Sequence, residues 1–167
     1  TLGALDLSAS DGRDVRAVLR QPKRCALLVY LALAGSEQFR RRDTVVALFW
    51  PERDGSSTRA LRQALTFLRR ELGVGIVATR GEEEIGLEPG AVSIDVREFE
   101  RSCDTGNHAD AFALYRGDFL DGFFYPMPDR RSSIFSSASA HADAVDAVSR
   151  EQIASPTASG SAPARSA

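Results

Sequence analysis

Residues 58–73 read Thr-Arg-Ala-Leu-Arg-Gln-Ala-Leu-Thr-Phe-Leu-Arg-Arg-Glu-Leu-Gly, and this stretch decides how the chain is interpreted. At about 100° per residue, Leu61, Leu65, Leu68 and Leu72 fall within an arc of about 60°. A leucine stripe this narrow predicts one buried helix face, and the glycine at the end of the stretch is typical of a helix stop. The sequence therefore predicts an amphipathic helix over residues 58–72.

The opposite side of this predicted helix is basic. Its arc of about 120° contains no acidic residue. The residues on it are Arg59, Arg62, Gln63, Thr66, Arg69 and Arg70. A solvated helix face usually mixes Glu with Lys or Arg at i,i+4, because each such pair stabilises an isolated helix by about 0.2–0.5 kcal/mol. The missing pairs favour an external anion, and a soluble helix that is merely rich in arginine is the alternative.

Double-stranded DNA is the anion that fits such a helix best. The major groove admits one α-helix, and there arginine reads guanine and glutamine reads adenine. Since the N-terminal part of a recognition helix usually meets the base edges, base contacts are expected from Arg59, Arg62, Gln63 and Thr66. Phosphate contacts are expected from arginines before the preceding helix, late in this helix and beside a predicted turn: Arg40, Arg41, Arg42, Arg69, Arg70 and Arg80. A solvated loop is the other interpretation of residues 40–42.

The distribution of charge along the chain points the same way. Residues 1–80 carry fourteen Lys and Arg against eight Asp and Glu, whereas residues 81–167 carry seven against fifteen. The formal net charge of -2 therefore hides a basic first part and an acidic second part. The basic part is the one expected to meet nucleic acid, and the two parts are expected to have different tasks.

The stretches before the basic helix predict a strand pair and two helices. Alternating apolar residues at 2–7 and 15–19, around Asp11-Gly12, predict a hairpin. Residues 22–34 predict a buried helix that Pro22 begins and Gly35 ends. A second helix is predicted over residues 44–49, with Asp43 as its cap and Trp50-Pro51 as its end.

The stretches after the basic helix predict a second hairpin and then two more helices. Residues 76–79 and 84–87 form the hairpin, which completes the element order of a winged helix-turn-helix. Residues 95–103 and 109–115 predict a helical pair with Asn107 as a cap, as in a partial tetratricopeptide-like segment. The expected fold is therefore mainly α with small β hairpins, a winged helix-turn-helix followed by that segment.

Several functional classes are excluded by the sequence. The longest apolar run, residues 25–34, has ten residues, whereas a membrane-spanning helix needs about 20. Cys25 and Cys103 lie in separate predicted helices and are expected to be buried thiols. No nucleophile elbow or phosphate-binding loop is present, and His108 and His141 have no partner at ligand spacing. We therefore expect a cytoplasmic protein that is not an enzyme and has no cofactor, metal site or membrane contact.

Five stretches carry a resemblance to a known family. They are Leu-Leu-Val-Tyr-Leu-Ala-Leu-Ala at 27–34, Arg-Asp-Thr-Val-Val-Ala-Leu-Phe-Trp-Pro at 42–51, Ala-Leu-Arg-Gln-Ala-Leu-Thr-Phe-Leu-Arg-Arg-Glu-Leu-Gly at 60–73, Asp-Val-Arg-Glu-Phe-Glu at 95–100 and Ala-Leu-Tyr-Arg-Gly-Asp-Phe-Leu-Asp-Gly-Phe at 113–123. The chain resembles the bacterial transcriptional activator domain family, of the Streptomyces antibiotic regulatory protein type. The likeness covers about residues 1–124.

The resemblance implies a division of the chain and a function. Residues 1–90 would form a winged-helix DNA-binding domain, 91–125 the start of a helical bacterial transcriptional activator domain, and 126–167 a low-complexity, largely disordered tail. The function implied is a sequence-specific DNA-binding transcriptional regulator, an activator that recruits RNA polymerase. The expected partners are double-stranded DNA, RNA polymerase and a second copy of the chain on repeated half-sites.

Two features depart from the family pattern. The predicted hairpin tip at 81–84 is acidic, and phosphate would repel it. The helical domain is cut short, because the sequence turns to Ser, Ala and Pro after Phe124. The alternative function is a protein–protein interaction module of winged-helix and helical-repeat type without specific DNA binding.

Overall fold

The computed structural model describes residues 1–34, 39–51 and 56–123. The helices are α1 (Arg16–Leu19), α2 (Pro22–Ala34), α3 (Arg42–Phe49), α4 (Ser57–Leu72), α5 (Asp95–Asp104) and α6 (His108–Leu114), and the strands are β1 (Arg40–Arg41), β2 (Val77–Arg80) and β3 (Glu84–Leu87). The described part is therefore mainly helical with one small sheet, as the sequence predicts. The predicted tail at 126–167 lies outside the described residues.

The sheet is antiparallel and has the order β1-β3-β2. Its β2–β3 hairpin pairs Val77 with Leu87 and Arg80 with Glu84, which confirms the predicted second hairpin. Strand β1 was not predicted from the sequence. It pairs Arg41 with Glu84 and so ties the start of α3 to the hairpin.

The predicted N-terminal hairpin is wrong. Residues 16–19 form α1, and its first turn is fixed by the Asp14 carboxylate, which accepts from the Arg16 N–H at 2.9 Å. Residues 2–4 instead meet the end of the described chain, where Leu2 bridges Phe119 and the Gly3 N–H donates to the Asp118 carbonyl at 2.9 Å. A side chain at Gly3 would bring its Cβ within 3.0 Å of the Arg116 carbonyl oxygen, so this close contact requires glycine.

The predicted cap of the second helix is also wrong. Helix α3 begins at Arg42, and Asp43 lies inside its first turn. The Arg42 N–H donates to the Glu83 carbonyl at 2.7 Å. Because the β2–β3 turn supplies this acceptor, the helix begins earlier than a carboxylate cap at Asp43 would allow. The predicted end of α3 is confirmed, since Trp50 follows its last residue, Phe49.

The main core lies between the first four helices and the sheet. Its most buried side chains are Val18, Leu27, Leu31, Val45, Phe49, Leu61, Leu65, Leu68 and Ile85. The predicted leucine stripe of α4 is thus inside, and α4 packs against α1, α2 and α3. The amphipathic pattern of α4 leaves its other face to solvent.

A second core joins α5 and α6 to α2. Val96 and Phe99 are buried together with Val29 of α2 and Leu2. Leu114 and Phe119 pack at the edge of this cluster, whereas Phe112 is 60% exposed. Asn107 caps α6, as predicted, by accepting from the Asp110 N–H. The helical pair is therefore attached to the preceding helices through a shared apolar cluster.

Candidate nucleic-acid interface

Helix α4 presents a basic surface because its leucines pack in the main core. Leu61, Leu65 and Leu68 are at most 1% exposed, so the rotation of the helix about its axis is fixed. The positions on the opposite side of the helix therefore point outward. We name the outward set Arg59, Arg62, Gln63 and Thr66 the α4 face.

All four residues of the α4 face are exposed. Within residues 1–34, 39–51 and 56–123, neither Arg59 nor Arg62 takes part in an ion pair. The Thr66 hydroxyl donates to the Arg62 carbonyl at 2.9 Å, so its hydrogen is engaged within the helix. The α4 face thus offers two arginines and an amide that can donate to an external acceptor.

The two later arginines of α4 differ from this face. Arg69 is half-buried, and its Nη2 lies 3.5 Å from the Val77 carbonyl of β2. Arg70 forms an ion pair with Glu71 at 2.7 Å, so the expectation that Arg70 has no partner is wrong. The Arg70 guanidinium also lies 5.3 Å from the Phe67 ring. Both arginines are held by neighbouring groups, unlike Arg59 and Arg62.

Arg24 extends the basic surface from α4 onto α2, which sequence reasoning missed. Its guanidinium lies 4.2 Å from the Phe67 ring, on the same aromatic side chain that Arg70 approaches. Cation–π contacts of this kind orient a guanidinium without neutralising its charge. Because α2 and α4 are separate in sequence, no local pattern links Arg24 to the basic surface of α4.

The three arginines before and at the start of α3 have different surroundings. The Arg40 guanidinium lies 5.8 Å from the Tyr30 ring. Arg41 is 64% exposed, and its Nη2 lies 3.8 Å from Glu83 Oε2. The Nε atoms of Arg40 and Arg42 are buried and have no hydrogen-bond partner in the part of the chain that the structure describes. Of these three arginines, Arg41 is therefore the one whose side chain is exposed.

Arg80 lies at the end of β2 beside the acidic turn. Its Nη1 is 4.0 Å from Glu84 Oε2, and its guanidinium stacks at 4.3 Å from the Phe39 ring. Phe39 in turn covers Gly86, where a Cβ would come within 3.2 Å of the ring. The structure thus pairs two of the six predicted phosphate contacts, Arg41 and Arg80, with glutamates of the hairpin.

Metal ligation and thiol reactivity are two further properties of the described residues. No group of three or more His, Cys, Asp or Glu within them could hold a metal ion. Burial raises the pKa of the Cys25 thiol to about 11, so that side chain is a poor nucleophile at neutral pH. Cys103 is only half-buried, less than predicted, and its pKa is also raised, by burial and by the charges of Asp104 and Glu100. No described helix is both long and apolar enough to cross a membrane.

No family model matches the chain, and no curated protein matches it.

Proposed function

We propose that this protein is a sequence-specific DNA-binding transcriptional regulator that acts in the cytoplasm. The observation that carries the proposal is the α4 face, where exposed Arg59, Arg62 and Gln63 stand on a helix whose opposite side is fully buried. Arginine and glutamine are the side chains that make bidentate contacts with guanine and adenine. The protein is a binding module with no catalytic role.

The arrangement of elements supports a winged helix-turn-helix as the DNA-binding unit. Helix α3 packs against α4, and the β2–β3 hairpin follows α4 directly. In such a domain the first of the two helices crosses the DNA backbone and the second lies in the major groove. In the proposed complex, α4 lies in the major groove and the start of α3 contacts phosphate.

The roles of the individual arginines follow from their surroundings. Arg59, Arg62, Gln63 and Thr66 are proposed to contact bases. Arg69 and Arg70 are proposed to contact phosphate, because they lie in the last turn of α4, away from the N-terminal part that meets the base edges. A phosphate contact positions the protein without reading the sequence.

Selection of bound sequences from a random pool of DNA duplexes tests the proposal. The whole chain should enrich a shared motif over successive rounds. The double variant Arg62→Ala, Gln63→Ala should lose that motif, whereas Arg101→Ala, an exposed arginine on α5, should keep it. Two motif copies at a fixed spacing would support a homodimer on repeated half-sites.

The alternative function is that of a protein-interaction module, and one observation favours it. Phe112 on α6 is 60% exposed. It belongs to a helical pair that lies within the acidic part of the chain, residues 81–167. A protein partner would leave the random pool without an enriched motif, because the remaining DNA binding would be blind to sequence.

We also propose that the bound regulator activates transcription by recruiting RNA polymerase, with α5 and α6 as the start of the helical activator domain. A reporter gene placed behind the selected motif tests this step. Expression above that of a motif-free reporter supports recruitment. Unchanged expression with the motif occupied contradicts it and leaves a DNA-binding module.

A further inference from the structure

Glu83 contacts the start of α3 through both its backbone and its side chain. Its carbonyl accepts from the Arg42 N–H at 2.7 Å, and its carboxylate lies 3.8 Å from the Arg41 guanidinium. The pairing of Arg41 with Glu84 between β1 and β3 holds this turn in place. The acidic tip of the hairpin therefore lies against Arg41 and Arg42, at the start of α3.

The groups that Glu83 occupies are those that bind phosphate in other settings. Backbone N–H groups at a helix start and guanidinium groups both bind phosphate oxygens. Of the three arginines at this end of α3, Arg41 is exposed, whereas the Nε atoms of Arg40 and Arg42 are buried. The carboxylate of Glu83 thus stands where a phosphate oxygen could be bound by Arg41.

We infer that Glu83 is an intramolecular competitor for DNA phosphate at Arg41 and sets the affinity of the interface. This inference rests on the proposed DNA binding. Arg41 is 64% exposed and Glu83 is 80% exposed, so the ion pair is screened by water and can exchange for a phosphate. Phosphate contacts supply most of the sequence-independent affinity of a DNA-binding protein. Glu83 therefore limits retention on non-cognate DNA.

A double-mutant cycle tests the competition. The four proteins are the wild-type chain, Glu83→Gln, Arg41→Ala and the combined variant. Each is titrated with a random-sequence duplex and eluted from a heparin column with NaCl. Glu83→Gln should tighten duplex binding about two- to fivefold and move elution to higher salt, because one arginine becomes free. In the Arg41→Ala background the same change should have a much smaller effect.

Glu82→Gln is the matched control, since Glu82 lies in the same exposed turn and forms no ion pair within the described residues. Its effect should be the same with and without Arg41. If Glu83→Gln is equally effective in both backgrounds, Glu83 acts only by general repulsion and the inference fails. The inference also fails if Glu83→Gln has no effect on duplex binding or elution. If the heparin shift depends on Arg41 but no duplex is bound, the competition stands and the proposed function fails.

Discussion

Arg62 and Gln63 test the function at the scale of single residues. Replacing either by Ala should weaken binding to the selected motif by about 1–3 kcal/mol, because a bidentate base contact is lost. Binding to random duplex should change much less. Fluorescence anisotropy with both duplexes measures the difference, and Arg101→Ala should leave both affinities unchanged. Equal losses on motif and random DNA would place these residues among the phosphate contacts.

The reactivity of the Cys25 and Cys103 thiols provides a test of how deeply each side chain is buried. Cys25 is 1% exposed with a pKa raised to about 11, whereas Cys103 is half-buried. A disulfide reagent at pH 8 should therefore modify Cys103 first. The rate at Cys25, measured in a Cys103→Ser variant, should rise about tenfold per pH unit below its pKa, since only the thiolate reacts. Equal rates for the two thiols would contradict the packing of α2.

Side-chain roles could be predicted only where a local pattern determines them. The exposure of Arg59, Arg62 and Gln63 follows from the leucine period of α4, and the structure agrees with it. The pairing of Arg41 with Glu83 depends on β1 meeting the hairpin, and the contact of Arg24 with Phe67 depends on α2 lying beside α4. The pair of Arg70 with Glu71 is different, because it joins sequence neighbours that a comparison of residues on one helix face does not consider. Contacts between residues distant in sequence leave no periodic signal in the chain.

At the scale of elements, strong local signals were sufficient and weak ones were not. Helix α4 has a full leucine stripe, and the β2–β3 hairpin has two apolar runs around a turn. Strand β1 has only two residues, both arginine, and exists because β3 lies beside it. Residues 2–7 alternate like a strand but bridge to residues 119 and 121, a long-range pairing that alternation alone cannot distinguish from a hairpin.

Gly73 provides a test of how α4 ends. It has φ +114° and ψ 149°, a conformation nearly restricted to glycine, and its N–H donates to the Arg69 carbonyl at 3.0 Å. Gly73→Ala should lower the free energy of unfolding by about 1–3 kcal/mol. Gly75→Ala is the control, because Gly75 has open space and no positive φ, and it should change stability by less than about 1 kcal/mol. Equal effects in urea denaturation would show that the end of α4 is not constrained.

At the scale of the whole molecule, the two apolar clusters are joined through α2. Val29 belongs to the cluster with Phe99, while Leu27, Leu28 and Leu31 belong to the main core. Phe99→Ala should therefore lower the unfolding free energy by about 3–5 kcal/mol and should shift the fluorescence transition of Trp50, which packs at the main core. The exposed Phe112→Ala serves as the control and should have little effect. A Trp50 transition unmoved by Phe99→Ala would mean that the helical pair unfolds separately.

At the scale of the whole molecule, the proposed DNA binding depends on the uneven distribution of charge along the chain. Residues 1–80 carry the excess of basic residues, and the helical pair belongs to the acidic part. DNA should therefore be bound by the first part of the molecule, with α5 and α6 directed away from phosphate by their charge.

The most direct test is the salt dependence of binding to the selected motif and to a random duplex, measured for the whole chain. Binding through phosphate contacts predicts a steep fall in affinity for both, with a log-log slope of about -0.9 per phosphate neutralised. The proposed base contacts of α4 predict a preference for the motif of about a thousandfold or more at physiological salt. A flat salt dependence, or equal affinity for the two duplexes, would contradict the claim that α4 reads DNA.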